Sequence, residues 1–132
     1  MAAVNNRSLG TAGEELAVQY LLKNGCTILK TNYRVGRMGE IDIIALDCEY
    51  TCFIEVKSRR SNSYGTPGEA VTPLKQRKIR QLAAIFLSNS RNIGKYARFD
   101  VIEIMLPETF NMENLSTTDK LFNCINHIKN AF

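Results

Sequence analysis

Residues 39–60, GEIDIIALDCEYTCFIEVKSRR, read as two apolar strands joined by a turn, and this hairpin decides the fold. Asp42 interrupts the first strand, and Glu55 and Lys57 interrupt the second. Ionised side chains are expensive to bury in a sheet unless they are paired, hydrogen-bonded or bound to a metal ion. The hairpin that starts the predicted sheet therefore also carries a candidate site.

The three charged residues can meet on one side of the predicted hairpin. Residues of a strand alternate between two faces, so Glu55 and Lys57 share the face of Phe53. Asp42 likewise shares the face of Ile44. If the two strands pair, Asp42 and Glu55 lie on neighbouring strands on the same side. Adjacent carboxylates repel and raise each other's pKa, and a divalent cation such as Mg²⁺ removes that repulsion.

Hydrolysis of a phosphodiester is the chemistry that fits these residues. Lys57 could orient a water molecule or neutralise charge on a phosphate. Glu14 lies on the apolar face of the first predicted helix, in line with Leu21, so we expect it to point toward the sheet. The alternative is a solvent-facing cluster of salt bridges on an exposed sheet face, with Glu14 at the edge of its helix.

Two helices flank the hairpin in the sequence, over residues 8–25 and 72–89. Ser8 and Thr72 are candidate N-caps, and Gly25 stands where a helix commonly ends. Apolar residues recur at helical spacing in both segments. Each helix is therefore predicted to pack one face against the sheet.

The remaining segments complete the order α-β-β-β-α-β. Residues 26–35 and 96–106 are rich in β-formers and predict strands, and residues 58–71 predict a polar loop. We expect an α/β fold with a central mixed sheet flanked by helices, in one domain with a core of about residues 7–106. Residues 107–132 form a C-terminal extension that the pattern does not divide into elements.

Composition is that of an ordinary globular domain, with 45% hydrophobic and 23% charged residues among 132. No apolar run approaches the roughly 20 residues of a membrane helix. The first residues, MAAVNNRSLGTAGEE, lack the apolar stretch of a signal sequence. We therefore expect a cytoplasmic protein that does not contact membranes.

The four cysteines do not predict a metal site. Cys48 and Cys52 form a CxxxC pair, but no second ligand pair follows, and His127 is the one histidine. We expect the cysteines to serve as small apolar side chains in or near the core. A nucleophilic Cys–His pair has no support beyond the two residue types.

Positive charge is concentrated before residue 100. The net charge is +4, and the densest basic segment contains Lys57, Arg59, Arg60, Lys75, Arg77, Lys78 and Arg80. Such a patch suits a polyanion such as DNA, although a solvated helix face would look similar. The predicted contacts to backbone phosphates are Arg59, Arg60, Lys75, Gln76, Arg77 and Lys78.

Several motifs in order resemble the YraN-type bacterial proteins, a family similar to archaeal Holliday junction resolvases and to the PD-(D/E)xK nuclease superfamily. The resemblance covers roughly residues 7–105 and the C-terminus. The proline that precedes the motif aspartate in the superfamily is replaced here by Ile41. The matching stretches are GxxGE ending at Glu14, GEIDIIA at 39–45, FIEVKSR at 53–59, YGTPGEAVTPLKQRKI at 64–79 and HIKNAF at 127–132.

This resemblance implies a restriction-endonuclease-like fold, DNA as substrate, and Mg²⁺ or Mn²⁺ as cofactor. By position, Asp42 and Glu55 match metal ligands and Lys57 matches the catalytic lysine. Glu14 matches the glutamate of the N-terminal helix in the resolvase branch. Gln76 or Lys75 matches a polar position at the start of the later helix.

Three functions are compatible with the sequence. The first is a metal-dependent endonuclease acting on DNA, branched DNA included. The second is a non-catalytic nucleic-acid-binding protein that keeps the nuclease fold, and the third is an adaptor acting through protein contacts. A resolvase that cuts two strands symmetrically would need two sites and hence a homodimer.

Overall fold

The computed structural model describes residues 6–60, 71–91, 93–106 and 122–132. Its elements are helix α1 (Asn6–Lys23), strands β1 (Thr27–Arg34), β2 (Glu40–Asp47) and β3 (Tyr50–Arg60), helix α2 (Pro73–Asn89), strand β4 (Tyr96–Leu106), a 3-10 turn (Phe122–Cys124) and strand β5 (Ile125–Ile128). The predicted order α-β-β-β-α-β is confirmed. The C-terminal segment adds a fifth strand.

The sheet is mixed and has the order β1-β2-β3-β4-β5. Strands β3 and β4 are parallel, and the other neighbouring pairs are antiparallel. A parallel pair needs a crossover, and α2 lies in the segment that joins β3 to β4. The result is an α/β domain consistent with a restriction-endonuclease-like core.

The helices pack against opposite faces of the sheet. Leu16 and Leu21 of α1 join the buried cluster that contains Ile54. Ile79 and Leu82 of α2 join the cluster that contains Phe53, the neighbour of Ile54 in β3. Because successive side chains of a strand point to opposite faces, these memberships place one helix on each side.

Local signals set the helix ends. Thr72 caps α2, its Oγ1 accepting a hydrogen bond from the backbone N–H of Lys75 at 3.2 Å. Helix α1 ends at Lys23, and Gly25, predicted to mark its end, follows with a φ of +85°. The N–H of Gly25 bonds the carbonyl of Leu22, and that of Cys26 bonds the carbonyl of Leu21. This pair of hydrogen bonds is the Schellman motif, in which glycine adopts the left-handed backbone conformation without the steric penalty of a Cβ.

Several local predictions were wrong. Ser8 lies inside α1, which begins at Asn6. Leu74, one of the apolar residues at helical spacing that were predicted to face the sheet, is 56% exposed in the first turn of α2. Strand β3 continues through Arg60, so residues 58–60 are not part of a loop. The remainder of the predicted loop lies outside the described residues.

The cysteines follow the prediction in part. Cys52 is buried, Cys26 and Cys124 are half-buried, and all four are free thiols. Cys48 is exposed in the tight turn between β2 and β3, where its φ is +52°. Within the described residues, no helix is long and apolar enough to span a membrane.

Candidate active site

Strands β2 and β3 separate at the position of the predicted site. Their ladder runs from Asp47 paired with Tyr50 to Ile43 paired with Ile54 and ends there. One residue further, Oδ2 of Asp42 accepts a hydrogen bond from the backbone N–H of Val56 at 2.8 Å. The regular pairing that would set Asp42 opposite Glu55 therefore does not form.

The strict alternation of β2 also breaks at Asp42. Ile41 joins the core under α2, whereas Ile43 joins the core under α1. Asp42 and Ile43 both line a cavity of about 160 Å³ that also contacts Glu14 of α1. The carboxylate of Asp42 thus turns toward the helix that carries Glu14.

Three carboxylates converge at this point. Glu14, Glu40 and Asp42 each offer an oxygen, and these oxygens lie within 4.8 Å of one another. All three residues are half-buried. We call this group the carboxylate trio. The sequence predicted Glu14 and Asp42 and missed Glu40, whose position two residues before Asp42 in GEID was the available signal.

The electrostatics of the trio are unfavourable without a cation. Burial raises the pKa of Asp42 to about 7, aided by the negative charge of Glu55 and opposed by the Val56 hydrogen bond. Burial also raises the pKa of Glu14, with further contributions from Glu40 and Glu55. Crowded, partly desolvated carboxylates favour protonation or a bound cation.

Asn32 bridges two members of the trio. When the amide of Asn32 is oriented to donate, its nitrogen lies 3.2 Å from Oε2 of Glu14 and 2.7 Å from Oε1 of Glu40. Asn32 has a φ of +51°, a left-handed conformation that asparagine tolerates better than most residues. Arg34 holds the other oxygen of Glu40 in an ion pair. Asn32 was not predicted from the sequence, since nothing in β1 marks it before the strands are paired.

Glu55 lies beside the trio but has its own partner. It is 7% exposed, and its Oε1 forms a salt bridge with Nζ of Lys75 in the first turn of α2. The family resemblance offered either Lys75 or Gln76 as the polar residue near the site. Lys75 reaches Glu55, whereas the side chain of Gln76 donates to the carbonyl of Val71 at 2.8 Å and braces the turn before α2.

Lys57 and Glu103 are neighbours on parallel strands. Lys57 is half-buried, and Glu103 is its partner in the β3–β4 register. Glu103 is 6% exposed, and its Oε1 accepts no hydrogen bond from the described part of the chain. Its Oε2 lies 3.4 Å from the side-chain nitrogen of Asn126. A buried carboxylate with one unsatisfied oxygen beside Lys57 was not predicted from the sequence.

The residues predicted to contact phosphates lie on α2 and at the end of β3. Arg77 and Lys78 are exposed on α2, the helix that carries Lys75. Arg59 is half-buried near the end of β3. Arg60 belongs to β3, but its side chain lies outside what the structure describes.

His127 serves a different cluster. Its Nε2 lies 2.8 Å from Oδ2 of Asp100, and its Nδ1 lies 3.2 Å from the hydroxyl of Tyr20. Arg98 also pairs with Asp100, which is fully buried. Both ring nitrogens are therefore engaged by oxygen partners, and neither contacts a cysteine.

Comparison with known proteins places the chain in a family. The model of the uncharacterised protein family UPF0102 matches residues 13–104. A UPF0102 protein of Acetivibrio thermocellus is 49% identical over 102 residues, which cover 77% of this chain and 78% of that protein. One of Caldanaerobacter subterraneus is 41% identical over the full length of both chains, and one of Clostridium perfringens is 50% identical over 75% of this chain and 80% of its own. The resemblance to the YraN-type proteins is confirmed at the level of the family, and the chain belongs to the protein family UPF0102.

Proposed function

We propose that this protein is a divalent-metal-dependent nuclease that hydrolyses phosphodiester bonds in DNA, branched DNA included. One observation carries the proposal: the oxygens of Glu14, Glu40 and Asp42 lie within 4.8 Å of one another. They meet where β2 and β3 separate, with Glu55 and Lys57 on the adjacent strand. Clustered, partly buried carboxylates are expected ligands in a metal-assisted hydrolase.

The donor set suits a hard cation. Mg²⁺ prefers oxygen ligands, often one or two carboxylates, and the trio offers carboxylate oxygens alone. The raised pKa values of Asp42 and Glu14 mark an excess of negative charge that a cation would balance. Mg²⁺ or Mn²⁺ held by the trio would supply positive charge for the phosphate and make a water molecule more acidic.

The side chains around the trio have separate tasks in this proposal. Asn32 orients Glu14 and Glu40 through its amide. Lys75 neutralises Glu55 through their salt bridge. Lys57, two residues after Glu55 on β3, is proposed to supply an ammonium group to the reacting phosphate. Preorganised positive charge near the reacting phosphate lowers the barrier to hydrolysis.

DNA is the proposed partner because exposed positive charge continues away from the site. Arg77 and Lys78 follow Lys75 on α2. Such residues would contact backbone phosphates rather than base edges. We therefore expect binding that weakens steeply with salt and depends little on sequence.

The salt bridge between Glu55 and Lys75 also favours a second function, nucleic-acid binding without cleavage. A carboxylate that Lys75 already neutralises has less need of a metal ion. The same basic residues would then hold DNA while the trio serves structure. Cleavage assays separate this function from the first.

The test compares wild type with Glu55→Ala and Lys57→Ala on four-way junctions, forked duplexes and single strands in Mg²⁺ and in Mn²⁺. We expect cleavage by wild type and a loss of at least about 100-fold in each variant, since both remove groups at the reacting phosphate. Glu49→Ala and Lys95→Ala are matched controls, because both residues are exposed at the opposite end of the sheet.

Three results would count against the nuclease. Wild type that binds DNA but cuts no substrate would support the second function. Cleavage that survives unchanged in both site variants would point to a contaminating enzyme. A protein that neither binds nor cuts DNA at low salt would exclude both functions.

A further inference from the structure

A second cavity lies beside the trio, between the start of β2 and the first turns of α2. Its volume is about 300 Å³. Leu74, Ile79 and Leu82 give it an apolar side, and Gly39 and Glu40 form part of the rest. This size is at the lower end of pockets that bind small organic groups.

The cavity shares residues with the proposed active site. Glu40 belongs to the carboxylate trio and also lines the cavity. Lys75 pairs with Glu55 and lines the cavity as well. The cavity and the trio therefore share Glu40, and a group bound in the cavity would lie close to the trio.

The lining combines an apolar surface with positive charge. Leu74 is 56% exposed, a large apolar side chain left uncovered in the first turn of α2. The ammonium-bearing side chains of Lys75 and Lys78 lie on the same lining. A purely electrostatic groove for duplex DNA would need the lysines alone and would leave the apolar side unexplained.

Gly39 keeps part of the cavity free of side chains. Its φ of +115° is a conformation that residues with a Cβ rarely adopt, and an added Cβ would lie 4.0 Å from Cδ of Lys78. A Cβ at this distance would make an ordinary contact with Lys78, a lining residue, so the backbone conformation is what favours glycine here.

We propose that this cavity receives an unstacked nucleobase adjacent to the phosphate that is hydrolysed, with Lys78 on a neighbouring phosphate and Lys75 remaining paired with Glu55. This inference rests on the proposed nuclease function. A flat, largely apolar ring joined to an anion matches an apolar surface flanked by the ammonium group of Lys78. Taking a base out of a duplex is costly, so DNA with unpaired nucleotides at the cut would be preferred to continuous duplex.

The test measures affinity for single-stranded and forked oligonucleotides in Ca²⁺, a cation chosen to allow binding without turnover. One nucleotide at a time is replaced by an abasic residue, and binding is followed by fluorescence anisotropy. We expect one or two positions at which removal of the base weakens binding about tenfold, with little effect elsewhere.

The variant Leu74→Ser tests whether the base found critical in the abasic scan binds in the cavity. Leu74 is exposed, so its replacement should leave the fold intact, which a melting curve checks. We expect Leu74→Ser to weaken binding of the intact oligonucleotide and not of the one that lacks the critical base. Leu22→Ser is the matched control, because Leu22 is 49% exposed on α1, away from the cavity.

The possible results test the nucleobase site separately from the proposed nuclease function on which it rests. A flat abasic scan, or a Leu74→Ser variant that weakens both oligonucleotides equally, would overturn the nucleobase site. Metal-dependent cleavage that persists in that case would leave the nuclease proposal standing. If wild type neither binds nor cuts any DNA, both fall together.

Discussion

Asp42 becomes a weaker acid when the chain folds. Its pKa rises from 3.8 to about 7, chiefly because of burial and then because of the charge of Glu55. An aspartate in the unfolded chain ionises near pH 4, so between about pH 4 and 7 the native state keeps a proton that the unfolded state has lost. Without metal, the free energy of unfolding therefore falls as pH rises through this window.

Replacing Asp42 with asparagine should remove this loss of stability at higher pH, because asparagine does not ionise. At pH 8 in chelator we expect Asp42→Asn to be more stable than wild type, by at most about 4 kcal/mol, and the difference should disappear toward pH 4. The asparagine oxygen can still accept the hydrogen bond from Val56. Urea unfolding at several pH values measures the difference.

Metal addition gives the complementary measurement. Mg²⁺ or Mn²⁺ should raise the melting temperature of wild type at pH 8, because ligands that bind the native state stabilise it. The rise should be much smaller in Asp42→Asn. A wild type that is more stable than the variant in chelator at pH 8 would contradict the crowding of carboxylates inferred here.

At the level of single residues, the sequence identified the charged groups better than their partners. Asp42, Glu14 and Lys57 stood out because charges inside apolar patterns are unusual. Glu40 and Asn32 did not, because a glutamate at a strand start and an asparagine in an edge strand are ordinary residues until three segments meet. Such convergence depends on strand register, which the pattern of one chain does not specify.

At the level of elements, the crossing of α1 over β3 depends on Gly13. A Cβ at Gly13 would lie 1.7 Å from Oγ and 2.9 Å from Cβ of Ser58. No side chain fits between the helix and the strand at this point. The close approach also fixes the next residue, Glu14, toward the sheet.

Replacing Gly13 with alanine should destabilise the fold by about 1–3 kcal/mol, because overpacking outweighs the better helix propensity of alanine. The added Ser58→Gly substitution should recover part of this loss by removing the side chain that clashes. Thermal or urea unfolding of both variants gives the answer. Gln19→Ala, at an exposed position of α1, should have little effect, and a Gly13→Ala protein as stable as wild type would contradict the packing described here.

The sequence predicted most elements because their local signals agree with the fold. Thr72 and Pro73 begin α2, Gly25 follows the end of α1, and short apolar runs mark β2 and β3. What it did not predict is where β2 leaves β3. The β2–β3 ladder ends at Ile43, because the N–H of Val56 donates its hydrogen bond to the side-chain carboxylate of Asp42. This is a contact between residues on different strands, which local sequence signals do not predict.

At the level of the whole molecule, a buried ionic cluster ties the last strand to the sheet. Asp100 accepts hydrogen bonds from Arg98, at 2.9 Å, and from the backbone N–H of Asn130, at 2.9 Å, and it contacts His127. Burial works to raise the pKa of Asp100, but these hydrogen bonds outweigh it and hold the pKa below its usual value. The cluster joins β4 to β5 across distant parts of the chain.

Asp100→Asn should destabilise the protein by about 3–5 kcal/mol at pH 7, since it removes the charge of a fully buried carboxylate and leaves the half-buried Arg98 without its full partner. Because the folded pKa is lowered, the contribution of Asp100 is present above about pH 4 and is lost as pH falls further. The variant should therefore show a weaker acid dependence than wild type. Unfolding in urea at pH 7 and pH 3.5 measures both effects.

Asp47 provides the control, because it pairs with the same Arg98 while its side chain is 24% exposed. Asp47→Asn should change stability by less than about 1 kcal/mol, as partly solvated ion pairs contribute little. Equal effects of the two substitutions would show that the buried cluster has no special role. The sequence could not foresee this cluster, because β5 is a four-residue strand whose partners lie far away along the chain.

Strand β1 forms one edge of the described sheet, and its irregular backbone has a consequence for the purified protein. The register shift between Ile28 and Lys30 and the left-handed Asn32 break the flat edge on which a second molecule could add its own strand. Lys30 and Arg34 add charge to the same strand. The distortion that presents an amide to the carboxylates is thus also a barrier to edge-to-edge aggregation. A substitution that straightened β1 would reduce solubility on storage as well as damage the proposed centre.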